Sequence, residues 1–261
     1  MSNRTPAPND QPTRIVVVGA SGRMGARLCQ LALGDARFTL AAALCRPGSA
    51  HSGGTIAPAH ARQPAVKISD SAGVLGPSSA DVVIDFSSDA GTHQALEAAQ
   101  RSGAALLVGT TALQPATREL LRAESSRRAV LLAPNTSLGV AALADLVRRA
   151  AAALTDFDCS IVEAHHNQKK DAPSGTALRL AQAARDAGAR LPDEQVVAIR
   201  GGDVVGEHTV RFAGQGEYIE LTHRATSRDL FVRGALRAAL WLRGRQPGWW
   251  TMEDALGFAA Q

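Results

Sequence analysis

The stretch Val162–Leu178, VEAHHNQKKDAPSGTAL, gathers groups that can move protons and hold anions. His165 and His166 are adjacent, Lys169 and Lys170 follow, and Asp171-Ala172-Pro173-Ser174 leads into a helical pattern. Imidazole titrates near neutrality, and an ammonium group is a proton donor. Pro173 cannot continue a preceding helix, so Ser174 is placed as an N-cap. Gly175 and Thr176 would then present unpaired N–H groups at a helix N-terminus, a natural anion site. The chemistry implied is protonation of a small polyanion. The plainer alternative is a basic loop followed by a helix cap. A zinc site fits poorly, because adjacent histidines lack an i, i+4 partner or a cysteine pair, and no metal is expected. A Schiff-base lysine would need an apolar setting that this loop does not suggest.

A second constellation is Gly19-x-x-Gly22-x-x-Gly25, set between the β-branched run Arg14–Val18 and a helical pattern from Ala26. Glycines there permit a tight turn and let a pyrophosphate reach the backbone at a helix N-terminus. The middle glycine falls one place later than in the commonest dinucleotide fingerprint. The next strand ends at Cys45-Arg46, where an acidic residue would otherwise bond the ribose 2′-hydroxyl. A guanidinium without a carboxylate favours the 2′-phosphate, so NADPH is expected to be preferred, with NADH possible; the alternative is that Arg46 is a plain surface arginine. Two further turns close predicted parallel strands: Gly109-Thr110-Thr111 and Ala133-Pro134-Asn135-Thr136. Each suits a nicotinamide carboxamide and ribose, and each could equally be a capping turn.

The elements that must position these residues alternate strand and helix. Strands are predicted at 14–18, 38–44, 80–86, 104–108 and 129–132, with helices at 26–33, 90–101 and 115–126; the loop 47–64 is rich in Gly, Ala, Pro and His. That rhythm implies a parallel sheet flanked by helices. A long helix is predicted at 138–153. Strands at 157–163, 195–199, 207–212 and 218–223 then surround a helix at 174–187, as in a mixed sheet. Helix returns at 228–242, with a short one at 252–256.

The chain has 261 residues, 45% of them hydrophobic, which is ordinary globular composition. No apolar run approaches the roughly 20 residues that span a bilayer. The N-terminal segment lacks the apolar centre of a signal peptide. Three scattered cysteines (Cys29, Cys45, Cys159) fit a reduced cytoplasm. The net charge of +4 comes without a basic stripe interleaved with aromatics, so nucleic acid is not an expected partner, and neither is a membrane.

The signature EAHHNQKKDAPSGTA resembles that of the dihydrodipicolinate reductase family, enzymes of the diaminopimelate and lysine pathway. The likeness extends through Gly19–Gly25, Gly109–Thr111, Ala133–Asn135, and the segments GGDVVGEHTVRF, IELTHRATSR and GALRAALWL. The resemblance implies that Gly19, Ala20, Ser21, Gly22, Arg23, Met24, Arg46, Gly109, Thr110, Thr111, Ala133, Pro134, Asn135 and Thr136 hold the nicotinamide cofactor. It implies that His165 is the acid/base histidine and Lys169 the proton donor, with His166, Gly175 and Thr176 at substrate-binding positions beside Ser174. It also implies reduction of a cyclic dicarboxylate imine and a homotetramer built through the sheet of the substrate domain. Two departures stand out. The stretch Asp186–Arg200 is shorter than in many members and lacks their basic, glycine-rich insert. Thr136 stands where a larger apolar residue often follows the asparagine.

The expected fold is α/β: a Rossmann-type parallel-sheet domain and an α+β substrate-binding and oligomerisation domain with a mixed sheet. Residues 1–13 are read as a disordered tail, 14–135 as the dinucleotide domain with 228–261 packing back on it, and 136–227 as the substrate domain. Two rival readings remain: a paralogue reducing another small carboxylated imine, and a catalytically inactive NAD(P)H-binding sensor. A sensor needs neither His165 nor Lys169.

Overall fold

The computed structural model describes residues 11–57 and 63–258. In chain order the elements are β1 (Thr13–Val18), α1 (Arg23–Leu33), β2 (Phe38–Leu44), β3 (Thr55–Ile56), β4 (Val66–Ser69), β5 (Val82–Asp85), α2 (Asp89–Ser102), β6 (Ala105–Val108), α3 (Pro115–Glu124), β7 (Ala129–Leu132) and α4 (Leu138–Ala153). They continue as β8 (Asp158–His165), α5 (Gly175–Asp186), β9 (Val196–Arg200), β10 (Gly206–Gly214), β11 (Glu217–Ala225), α6 (Asp229–Leu242), β12 (Gly248–Trp250) and α7 (Met252–Ala255). Two compact units result: one from residues up to Pro134 plus Val232–Thr251, the other from Asn135–Phe231 plus the chain from Met252 onward.

The first unit is an eight-stranded sheet in the order β12-β7-β6-β5-β1-β2-β4-β3. All its pairings are parallel except that of β3 with β4. Ile15, Val16, Val17 and Val18 of β1 are all at most 1% exposed, so consecutive side chains are covered on both faces, as a β-branched run in a parallel sheet must be. Helix α1 buries Leu28, Cys29, Ala32 and Leu33, a helical stripe that fixes its seat. Two strands escape the sequence pattern. β4 lies within a stretch dominated by turn residues, and β12 has only three residues, yet each pairs in parallel with a neighbour.

The second unit is a four-stranded sheet in the order β11-β10-β8-β9, antiparallel except for β8 with β9. Its core joins Leu143, Val147 and Ala151 of α4 and Leu180 and Ala184 of α5 to Ile161, Val210 and Phe212 of the sheet.

Two boundaries of the sequence reading need correction. Thr13, assigned to the tail, is the buried first residue of β1, held by its N–H to the Arg37 carbonyl at 2.7 Å. The rest of the proposed tail up to residue 10 lies outside the described residues. The short helix α7, assigned with the return segment to the first unit, belongs to the second. It packs on α4, buries Met252 and pairs Glu253 with Arg179.

Candidate active site

The glycine turn after β1 brings the start of α1 close against the strand end. Gly19 has φ +81°, and the N–H groups of Gly19 and Ala20 both donate to the Leu44 carbonyl at 2.9 Å. Gly25 sits so close to Gly19 that an added Cβ would strike the Gly19 carbonyl, so α1 can approach the strand only with glycine there. Gly22 is the N-cap of α1 and makes no side-chain cap. The first N–H groups of the helix, at Arg23 and Met24, therefore have no intrahelical partner, and Ser21, Gly22 and Arg23 are exposed. This bare, positively polarised helix end fits a dinucleotide pyrophosphate. At the end of β2, Cys45 is fully buried and cannot face a ribose, whereas Arg46 is exposed.

The turn Gly109-Thr110-Thr111 rests on a residue that the sequence did not single out. Asp85, the buried last residue of β5, accepts from Thr92 Oγ1 at 2.7 Å, Thr110 Oγ1 at 2.9 Å and the Ser87 hydroxyl. Burial pushes its carboxyl above the usual range despite these three donors. The Thr110 hydroxyl also accepts the Ser87 N–H at 2.9 Å, so this side chain holds the loop together, while Thr111 is exposed. Gly109 leaves no room for a Cβ against the Phe86 ring.

In the second unit β8 runs two residues further than expected. His165 is not a loop residue but the last residue of the strand. It follows Cys159, Ile161 and Glu163 on the inward face and is 9% exposed. Its Nδ1 lies 2.5 Å from Glu163 Oε2. Glu163 is completely buried; Arg200 of β9 donates to both its oxygens, at 2.8 and 2.9 Å, and the Ser174 N–H donates to Oε1 at 3.0 Å. Burial opposes ionisation of Glu163, but Arg200, His165 and the Ser174 amide together hold its carboxyl below the usual range. The His165 ring meets His208 of β10 edge-on, with centroids 5.2 Å apart. Burial, then the neighbouring His165, depresses His208 to about 4.

Ser174 is the N-cap of α5, as expected: its hydroxyl accepts the Ala177 N–H at 3.1 Å and lies 3.1 Å from His208 Nε2. Because it is only 2% exposed and its own N–H goes to Glu163, its part is to shape the helix end. Gly175 is exposed, with nothing within 4 Å of where a Cβ would sit, so bare backbone faces open space. Thr176 Oγ1 accepts from Asn135 Nδ2 at 2.9 Å. Asn135, read from sequence with the cofactor turns, thus bonds directly to Thr176, read from sequence as a substrate position. Thr136 is buried, and its hydroxyl donates to the Phe231 carbonyl at 2.7 Å. Its side chain anchors the chain internally. Pro134 is exposed and Ala133 buried.

Lys169 Nζ contacts both oxygens of the largely exposed Asp171 at 2.8 Å, and this holds the Asp171 carboxyl below its usual range. Lys170 is exposed. His166 Nε2 lies 3.4 Å from Arg228. Sequence reasoning missed Asp85, Arg200 and His208 altogether, and took Glu163 only as the end of a strand. The alternation Cys159, Ile161, Glu163, His165 was the available signal that the last two point inward.

A glycine-cradle parallel-sheet unit, joined to a mixed-sheet unit bearing a buried acid–histidine pair and a cationic loop, defines a nicotinamide-dependent oxidoreductase. Family models agree: "Dihydrodipicolinate reductase, N-terminus" matches residues 13–136 and "Dihydrodipicolinate reductase, C-terminus" residues 139–256. The chain is 46% identical to the 4-hydroxy-tetrahydrodipicolinate reductase of Stenotrophomonas maltophilia strain K279a, covering 95% of this chain and 99% of that one. It is 42% identical to the enzyme of that name from Anaeromyxobacter dehalogenans strain 2CP-1, covering 94% and 98%. A dipicolinate-bound dihydrodipicolinate reductase from Paenisporosarcina sp. TG-14 shares the fold at TM-score 0.76 and 19% identity, over 93% of this chain and 98% of that one. The chain belongs to the dihydrodipicolinate reductase family. No helix among its described residues is long and apolar enough to cross a membrane.

Proposed function

We propose that the chain reduces 4-hydroxy-tetrahydrodipicolinate to tetrahydrodipicolinate in diaminopimelate and lysine biosynthesis, with NADPH preferred over NADH, as a cytoplasmic homotetramer. The overall reaction consumes one hydride and one proton and releases water. The bound nicotinamide supplies the hydride. Gly19–Met24 hold the pyrophosphate, Arg46 the 2′-phosphate, and the turns at Gly109–Thr111 and Ala133–Asn135 the nicotinamide end. Lys169 donates the proton that quenches the charge built by hydride addition, and His165 shares or tunes that transfer. The backbone at Gly175 and Thr176, with His166, binds a substrate carboxylate.

One observation carries this reading. Glu163 at the end of β8 is bonded to His165 on one side and to the first turn of α5 on the other, so a proton-active ring and an anion-seeking helix end share one anchor. A catalytically silent sensor would have no use for that arrangement. The deciding assay follows NADPH oxidation by the purified chain with and without the product of the preceding synthase. Oxidation that depends on that product is the expected result. Oxidation supported equally by an unrelated carboxylated imine favours the paralogue, and tight NADPH binding without turnover favours the sensor.

A further inference from the structure

Glu163 accepts four hydrogen bonds on its two oxygens, from His165, Ser174 and the fork of Arg200, and has no exposed surface. An ionised carboxylate is the one side chain here that can accept from all four donors at once. The Arg200 fork needs an acceptor at each of the two atoms. An amide in this place would turn an N–H group toward Arg200 in either orientation, and with it toward either Ser174 or His165.

We propose that Glu163 is the positioning residue of the reaction: it holds the His165 ring with its proton on Nδ1 and Nε2 free to exchange protons, and it locks the carboxylate-binding end of α5 to that ring. Arg200, 37 residues later, keeps Glu163 charged and fixed. The proposal rests on the acid/base role given above to His165. The charged and titratable groups around that ring come from several elements: Glu163 on its own strand, Arg200 on β9 through Glu163, and His208 on β10, which itself feels Lys169 of the following loop. His208 meets the ring edge-on and is kept neutral by burial, so Glu163 is the charge in direct hydrogen-bond contact with it. Gly206 adds a steric limit, because a Cβ there would come within 3.0 Å of His165 Nε2. That edge of the ring is thus left facing bare backbone. A carboxylate behind a histidine ring sets its tautomer and stabilises its protonated form.

The test combines a double-mutant cycle with a tautomer measurement on the full chain. Glu163→Gln is expected to lower kcat by about 10²-fold, within the range for loss of general acid–base catalysis. Because a protonated ring costs more without the negative charge, the limb of the kcat/KM profile that His165 sets should move to lower pH. Added to His165→Gln, Glu163→Gln should cost little more, since the ring it orients is already gone. Nitrogen-15 spectra of histidine-labelled wild type should show His165 protonated on Nδ1. An Nε2-protonated, Nδ1-bare ring overturns the proposal even if the Glu163→Gln variant fails to fold. So does a Glu163→Gln loss of the same factor in both backgrounds. If His165→Gln alone leaves kcat unchanged, the acid/base role of His165 fails instead, and the tautomer result still decides whether Glu163 sets the ring.

Discussion

Two lysines sit side by side at residues 169 and 170, but the structure gives them different surroundings. Lys169 is held by both oxygens of Asp171, whereas Lys170 is exposed. If Lys169 delivers the proton, Lys169→Met should lower kcat by about 10²–10⁴-fold, with NADPH affinity and Tm close to wild type. Lys170→Met, which removes the same charge from the same loop, should cost much less. The reverse order would make the loop chiefly a carboxylate clamp. Arg46 is the second residue-scale case. A charge-assisted contact to a 2′-phosphate is worth about 1.5–3 kcal/mol, roughly tenfold or more in selectivity. Arg46→Ala should reduce the NADPH-to-NADH ratio of kcat/KM by that factor, and an unchanged ratio removes Arg46 from cofactor choice. The sequence displays such residues because their chemistry is concentrated in one short run. Glu163 and Arg200 were not legible in the same way: they are far apart in the chain, and each reads alone as a surface charge until the parallel pairing of β8 with β9 brings them together.

At the scale of elements, long periodic segments were legible and short, context-dependent ones were not. The β-branched run of β1, the amphipathic stripe of α1 and the alternation of β10 announce themselves locally. β4 and β12 do not, because their few residues become strands only through neighbours already in place. The end of β8 was misplaced for a related reason. His165 looks like a loop residue by polarity, yet it continues the inward period of Cys159, Ile161 and Glu163. The start of α5 was read correctly because Pro173-Ser174 is a strong local stop-and-start signal, and its cap gives a test. Ser174→Ala removes the acceptor for the Ala177 N–H and the contact to His208. It should lower stability by about 1 kcal/mol in urea unfolding, the usual cost of a lost N-cap. It should also raise the KM for the dicarboxylate more than that for NADPH, because the loosened turn is the proposed carboxylate seat. Equal changes in both KM values would separate the helix end from substrate binding.

At the scale of the molecule, the second unit leaves one sheet face without helices among the described residues. Helices α4 and α5 cover the face bearing Ile161, Val210 and Phe212, while Val162, Val197 and Ile199 stand out on the opposite face at 41–51% exposure. The register aligns Val162 with Val197, so these side chains form a contiguous apolar strip. Burying such a strip against copies of itself is what a homotetramer through this sheet would do. Light scattering at micromolar concentration should give four chains, and Ile199→Glu should shift the assembly toward smaller species; a wild-type monomer contradicts it.

Stability against acid is a second property of the whole molecule, and its sign follows from His208. Folded, this histidine is depressed to about 4 by burial; unfolded, it titrates near its ordinary value of 6.5. Between those limits the unfolded chain takes up a proton that the folded chain refuses. Stability is therefore complete above pH 6.5 and declines as pH falls toward 4, by roughly 3 kcal/mol in all. His223, also depressed by burial, acts in the same direction. Asp85, raised by burial, acts in the opposite one. Comparing wild type with His208→Asn by urea unfolding at several pH values cancels both of these contributions. The variant should be the less stable protein at about pH 8, where packing and the contact to the Ser174 hydroxyl have been lost. The gap should narrow steadily from about pH 6.5 to about pH 4.5, because the variant has no buried imidazole to protonate. Parallel curves across that window would mean that His208 is not held neutral in the folded chain.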